Sequence, residues 1–186
     1  MSIKNFLLAA VFISTLQLVA QREASNWYFG DNAGINFDIN NNVTPLTDGQ
    51  LSTDEGCTSI SDTSGQLLFY TDGIRVYNRN HTVMPNGLNL NGNPSSTQSA
   101  IIIPKPGDAN IYYIFTASTT FGGAPDLGFQ YSEVDMTLNN GLGDVTSSKN
   151  QVLLNNASEK LSAVLKDCQT QNIWVVTFAD RTATFF

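Results

Sequence analysis

The chain has 186 residues, a net charge of -7 and only 13% charged side chains, so Asn, Ser, Thr and Gly must supply most of its polar surface. That profile favours turns and strand faces over helices. With nine Lys and Arg in all and no basic stripe, it argues against a nucleic-acid partner.

The first 20 residues read as an export signal: Lys4 gives a positive start, Phe6 to Val19 an apolar stretch, and Ala20 before Gln21 a cleavage point. The apolar run is short of the roughly 20 residues a bilayer span requires, and no later segment is a candidate span. The mature part, 21–186, is expected to be exported and either secreted or held at the cell surface.

After the leader, Trp27-Tyr28-Phe29-Gly30 and Ile35-Asn36-Phe37 predict two short strands, followed by a polar connection from Asn40 to Asp48. Thr58-Ser59-Ile60, a turn through Asp62-Thr63-Ser64-Gly65, and Leu67-Leu68-Phe69-Tyr70 predict a hairpin. A further strand, Ile74 to Tyr77, is entered through Asp72-Gly73, a good hairpin signal between apolar runs. Asn86 to Ser96 is a long Asn-, Gly- and Pro-containing loop.

The same phrase returns as Ala100 to Ile103, a turn from Pro104 to Asn110, and Ile111 to Phe115. An excursion from Thr119 to Gly128 precedes the strand Phe129 to Val134, and Leu138 to Ser148 is a turn-rich connector. A third copy runs from Leu161 to Leu165, turns through Lys166 to Asn172, and continues as Ile173-Trp174-Val175-Val176.

Recurrence at this scale is the mark of stacked modules. Leu67 to Tyr70, Ile111 to Phe115 and Ile173 to Val176 are apolar at every position, which predicts burial on both faces. The expected fold is all-β: a partial β-propeller of about three antiparallel blades over about 27–95, 96–148 and 149–186. The inner layer of a large sandwich is the competing architecture. Because a propeller closes with at least about four blades, the chain is expected to be a fragment of a larger protein or a truncated reading frame. The aromatic end Thr182 to Phe186 points the same way. Such a product is expected to be soluble only as an oligomer, or to fold poorly.

Several phrases go beyond generic strand patterning. They include Trp27 to Gly30 with Ala33-Gly34 and Phe37, Glu55 to Asp62, Leu68 to Gly73, and Tyr77 to His81 with Met84 to Gly87. Ser95 to Ala100, Pro104 to Gly107, Tyr131 to Met136, Gly141 to Val145 and Glu159 to Leu161 follow in order. Together, across nearly all of Trp27 to Phe178, they resemble the N-terminal propeller-like region of large secreted surface proteins from gliding bacteria. Those proteins continue into Ig- or PKD-like repeats and a gliding-motility-associated sorting domain used by type IX secretion. The family's pattern carries a His after the Trp-Val-Val-Thr strand, where this chain has Phe178. The resemblance implies a surface location and brings no catalytic residues with it.

Candidate site residues are few. Export would let Cys57 and Cys168 pair as a disulfide, and burial of Cys57 as a small hydrophobe is the alternative. Asp54, Glu55, Asp62 and Asp72 cluster around the first hairpin, where carboxylates with separated pKa values could perform acid–base chemistry. Turn aspartates more often accept from nearby backbone amides. The turn Ser61 to Gly65 misses the sialidase Asp-box, since Ile60 stands two before Asp62 and Gly65 falls one position late.

Calcium is the one cofactor with any foothold. Asp48 to Glu55 offers oxygen ligands but departs from EF-hand spacing. His81, the only histidine, reads as a loop hydrogen-bonding residue. Trp27, Tyr28, Phe29, Tyr112, Tyr113 and Trp174 sit in apolar runs and read as core, leaving Tyr77, His81 and Tyr131 as surface binding candidates. The loops Asn86 to Ser96 and Thr119 to Gly128 would form the binding face. The expected function is a non-catalytic, adhesin-like recognition or scaffold module meeting an extracellular glycan or protein. The alternative is a fragment of a propeller enzyme acting on polysaccharide.

Overall fold

The computed structural model describes residues 22–167 and 171–179. The expected leader, Cys168 and the segment Thr182 to Phe186 lie outside the described residues. No helix among the described residues is long and apolar enough to cross a membrane.

Among the described residues the fold is all-β, built of four small antiparallel sheets, none of them closed. Sheet 1 is the meander β1 (Asn26–Phe29), β2 (Ala33–Phe37) and β3 (Val43–Leu46). Sheet 2 is the meander β4 (Thr58–Ser61), β5 (Leu67–Thr71) and β6 (Val76–Asn78). Sheet 3 holds β7 (Ala100–Pro104), β8 (Ile111–Ala117), β9 (Phe129–Asp135), β10 (Asp144–Val145) and β11 (Gln151–Leu154), the last two both pairing with β9. Sheet 4 is the ribbon β12 (Ala157–Leu165) and β13 (Ile173–Ala179).

These boundaries divide the chain differently from the units read in the sequence. The stretch 27–95 carries two sheets rather than one, because β3 lies inside the supposed connection from Asn40 to Asp48. Pro45 disguises β3, and it is tolerated there because β3 is an edge strand. β11, assigned to the last unit, belongs to sheet 3.

The core is three separate layers. Tyr28, Leu51, Tyr70 and Tyr77 fill the space between sheets 1 and 2. Ile60, Leu68, Phe69, Val76, Ile102, Tyr112, Ile114 and Val134 lie between sheets 2 and 3, with Met84, Leu90, Met136 and Val145 contributed by connections and β10. Ala117, Phe129 and Leu161 lie between sheets 3 and 4, packed on Ile101, Phe115 and Val175. Each fully buried large apolar side chain contributes on the order of 1.5–3 kcal/mol relative to exposure, so the first two layers hold their sheets by several such terms and the third by those of Phe129 and Leu161.

Strand alternation explains the division, since successive residues point to opposite layers. Tyr70 faces sheet 1 while Phe69 faces sheet 3. At the start of β5 the register with β4 shifts between Ile60 and Ser61. This bulge lets Leu68 join Phe69 in the same layer.

The expectation of two-sided burial holds for β5, where Leu68 to Tyr70 are buried. In β8 buried and half-buried positions alternate. In β13 the expectation fails: Trp174 is 57% exposed, and Val176 is exposed as well. Among the described residues sheet 4 packs on sheet 3 through one face only, so its continuous apolar run is half uncovered.

The first strands of successive sheets are neighbours: β1 packs beside β4, β4 beside β7, and β7 beside β12, which also lies beside β8. Side chains stitch the first pair. Asn26 Nδ2 donates to Ser61 Oγ at 3.0 Å, and Ser59 Oγ donates to the Asn26 carbonyl at 2.7 Å.

Candidate functional site

Polar groups converge on aromatic rings at the margin of the layer between sheets 1 and 2. β1 turns Tyr28 inward by alternation. Its ring fits only because glycines flank it: a Cβ on Gly34 would stand 3.0 Å from Tyr28 Cδ1, and one on Gly49 2.8 Å. The Tyr28 ring stacks on Tyr70 at 4.6 Å between centroids, and Tyr70 stacks on Tyr77 at 5.2 Å. The second stack follows from register, since Tyr70 and Tyr77 are direct cross-strand partners in β5 and β6.

His81 closes over this pile. It sits in the turn after β6 with φ 60°, a left-handed conformation, and Asn78 organises the turn by accepting the amides of Asn80 and Thr82 on its Oδ1. The imidazole centroid lies 5.4 Å from the Tyr28 ring and 5.8 Å from the Tyr70 ring.

Asp48, from the connection between sheets 1 and 2, joins the parts. Its Oδ1 accepts from the Tyr28 hydroxyl at 3.0 Å, and its Oδ2 lies 3.3 Å from His81 Nε2. His81 Nδ1 is 3.1 Å from the Tyr70 hydroxyl, whose oxygen accepts the Gln50 amide at 3.2 Å. A neutral imidazole protonated on Nε2, donating to Asp48 and accepting from Tyr70, satisfies every one of these contacts.

Burial, the Asp48 hydrogen bond and the Asp48 charge together raise the Tyr28 pKa well above its ordinary value. Burial pushes Tyr70 up to about 12. Both phenols therefore remain protonated donors across the physiological range. Both ring nitrogens of His81 are engaged with protein groups, so in this arrangement neither faces a substrate proton. The chemistry the geometry performs is cross-linking: one carboxylate and one imidazole tie a connection to two sheets.

The structure redistributes the residues singled out in the sequence. His81 is a hydrogen-bonding turn residue, as its context suggested. Tyr77 is not a surface group; it is 8% exposed, buried by its stack with Tyr70. Tyr131 is half-buried on β9, edge-on to Tyr113 at 5.7 Å. Trp27 and Trp174, read as core, are both exposed.

Cys57 is a half-buried free thiol, and burial raises its pKa, which makes it a poor nucleophile. It borders a shallow cleft of about 240 Å³ shared with Trp27, Phe29, Thr58 and Ser59.

The carboxylates of the first hairpin do not converge on one site. Asp62 accepts the amides of Ser64 and Gln66 and the Ser64 hydroxyl. Burial pushes its carboxyl up, but these bonds outweigh it and hold the group below the usual range. Asp72 is buried, accepts the amides of Ile74 and Arg75, and lies 3.6 Å from the Arg75 guanidinium. Asp54 and Glu55 are exposed. Among the described residues no group of three or more His, Cys, Asp or Glu is placed to hold a metal ion.

The loop Asn86 to Ser96 is anchored at points along its length, with Asn86, Leu88 and Asn89 exposed. Asp144 accepts the Asn86 amide at 2.8 Å and its side chain at 2.7 Å, and Leu90 is buried between sheets 2 and 3.

Asp48 and Tyr28 were the site residues hardest to see in the sequence. The nearest signal was the Gly49 beside Asp48, whose lack of a side chain admits the Tyr28 ring. No protein family, curated protein or solved structure matches this chain.

Proposed function

We propose that this chain is a non-catalytic, exported segment of a β-propeller that serves as a recognition or scaffold module at the cell surface. Its partner class is an extracellular glycan or protein. The observation that carries the reading is the order of contacts among first strands. The first strand of each sheet neighbours the first strand of the next, from β1 through β4 and β7 to β12. Outward-running meanders with adjacent first strands are how propeller blades follow one another around an axis. The non-catalytic part is supported by His81, whose nitrogens are both committed to Asp48 and Tyr70. The surface location is supported by the resemblance to secreted proteins of gliding bacteria.

The test is a glycan array run beside a polysaccharide hydrolysis assay on the full chain. Retention on the array without turnover is the expected result. Turnover would replace this reading with that of a propeller enzyme.

A further inference from the structure

Among the described residues, sheets 2 and 3 are covered on both faces by a neighbouring sheet, while sheets 1 and 4 are covered on one face each. In β1, Asn26 and Tyr28 point to sheet 2 and are buried, whereas Trp27 and Phe29 point away and are exposed. Their face continues across the meander through Ile35, the partner of Trp27, and through Phe37 and its partner Val43.

At the other end of the molecule, Leu161 and Thr177 are buried toward sheet 3. Val164 and its partner Trp174 point outward with Val176, Val164 being 59% exposed. The sequence contains only two tryptophans. One is half-exposed on each uncovered face, Trp27 at 49% and Trp174 at 57%. A contiguous apolar face rimmed by polar residues marks an interaction site.

The rest of the chain states what covers such a face. In each of its three layers the occupant is another sheet of the same kind: Tyr28 meets Tyr70 in the first, Phe69 meets Tyr112 in the second, and Phe129 lies with Leu161 in the third. One cation and one anion stand beside the two faces. The Lys166 ammonium lies 5.8 Å from the centre of the Trp174 ring, while Asp38 follows Phe37 at the end of the sheet 1 face.

The geometry points to a second copy of this chain as the occupant. The outer face of sheet 4 in one copy seats on the outer face of sheet 1 in its partner, and reciprocally about a two-fold axis. This inference rests on the propeller reading. The four sheets among the described residues of each copy make eight, which falls inside the range of about four to eight blades over which such rings close. A reciprocal pairing covers both ends at once, so the assembly stops at two copies.

The two tryptophans make the test direct. Sedimentation of the full chain is expected to give twice the mass of one copy. Dilution is expected to lower that mass together with a red shift of tryptophan emission and stronger acrylamide quenching. Trp27→Glu and Trp174→Glu should each give a folded monomer by circular dichroism. Mixing the two variants should restore a dimer, because one interface then pairs two wild-type faces.

A folded wild-type monomer overturns the pairing, and does so without touching the glycan-array result. Loss of the dimer with only one of the two variants overturns the head-to-tail arrangement. A ladder of larger species overturns closure. Should either variant fail to fold, the wild-type dilution series decides alone: emission that does not follow mass overturns the proposal.

Discussion

Ser99 Oγ donates to the carbonyl of Asp72 at 2.7 Å and accepts the Asn93 amide at 3.1 Å, joining the β5–β6 turn to the segment that enters β7. Ser99 is completely buried. Backbone crowds it on three sides, at Gly56, Gly73 and Gly92, where a Cβ would approach Ser99 to 2.1 Å, 2.2 Å and 2.5 Å respectively. Removing the hydroxyl strands a half-buried amide and a buried carbonyl. Ser99→Ala is therefore expected to lower unfolding free energy by about 1–3 kcal/mol, read by urea denaturation; an unchanged midpoint would refute the role.

Gly56→Ala tests the same junction by addition instead of removal. Its Cβ would fall 2.1 Å from the Ser99 backbone nitrogen, so the backbone itself must shift. Overpacking of this kind costs about 1–3 kcal/mol or more, and the thermal midpoint should drop accordingly. Gly107→Ala is the control: nothing lies within 4 Å of that position, although its φ of 78° still brings backbone strain. The control variant should lose clearly less stability.

Alkaline pH should loosen the layer between sheets 1 and 2. A phenol ionises near pH 10 in an unfolded chain, and Tyr70 in the fold only at about 12. Its folded pKa is raised, so the stabilisation is fully present below the unfolded value and is lost as pH climbs from there toward the folded one. Tyr28 shifts in the same direction. Phenolate absorbance should show late-titrating tyrosines whose ionisation coincides with unfolding. Titration of every tyrosine near its ordinary value, with the fold intact, would contradict this.

The Asp48–His81 contact can be isolated by a double-mutant cycle with Asp48→Ala and His81→Ala. The pair is largely solvent-accessible on the Asp48 side, so a coupling of about 0.5–1 kcal/mol is expected. Additivity of the two single substitutions would show that each residue acts alone.

Asp144 should govern the order of the long connection between sheets 2 and 3. It accepts two nitrogens of Asn86 and the Val145 amide. Asp144→Ala leaves these donors unpaired, with an expected cost of about 1–3 kcal/mol. Amide exchange should accelerate from Asn86 to Leu90 ahead of the strands; uniform acceleration would argue against a local clamp.

The all-β class and most strands were legible because hairpin signals such as Asp72-Gly73 sit between apolar runs. Register was legible too. Opposing β5 and β6 across that turn sets Tyr77 against Tyr70, which is why Tyr77 is buried and not a surface contact. Composition hid β3, since Pro45 and its polar surroundings read as a connection. The exposed Trp174 was illegible for a different reason: a strand written for two-sided burial shows its second face when only one layer covers it. The polar closure by Asp48 and His81 depends on two connections meeting in space, and no local pattern records that.

Three disconnected core layers mean that each sheet reports its stability only to its immediate neighbours, as links in a row would. Sheets 2 and 3 each lean on two layers, while the β12–β13 ribbon leans on one. Protection against solvent exchange should therefore fade from the middle outward, and in an isolated copy the ribbon would peel first, well before the central meanders lose their order.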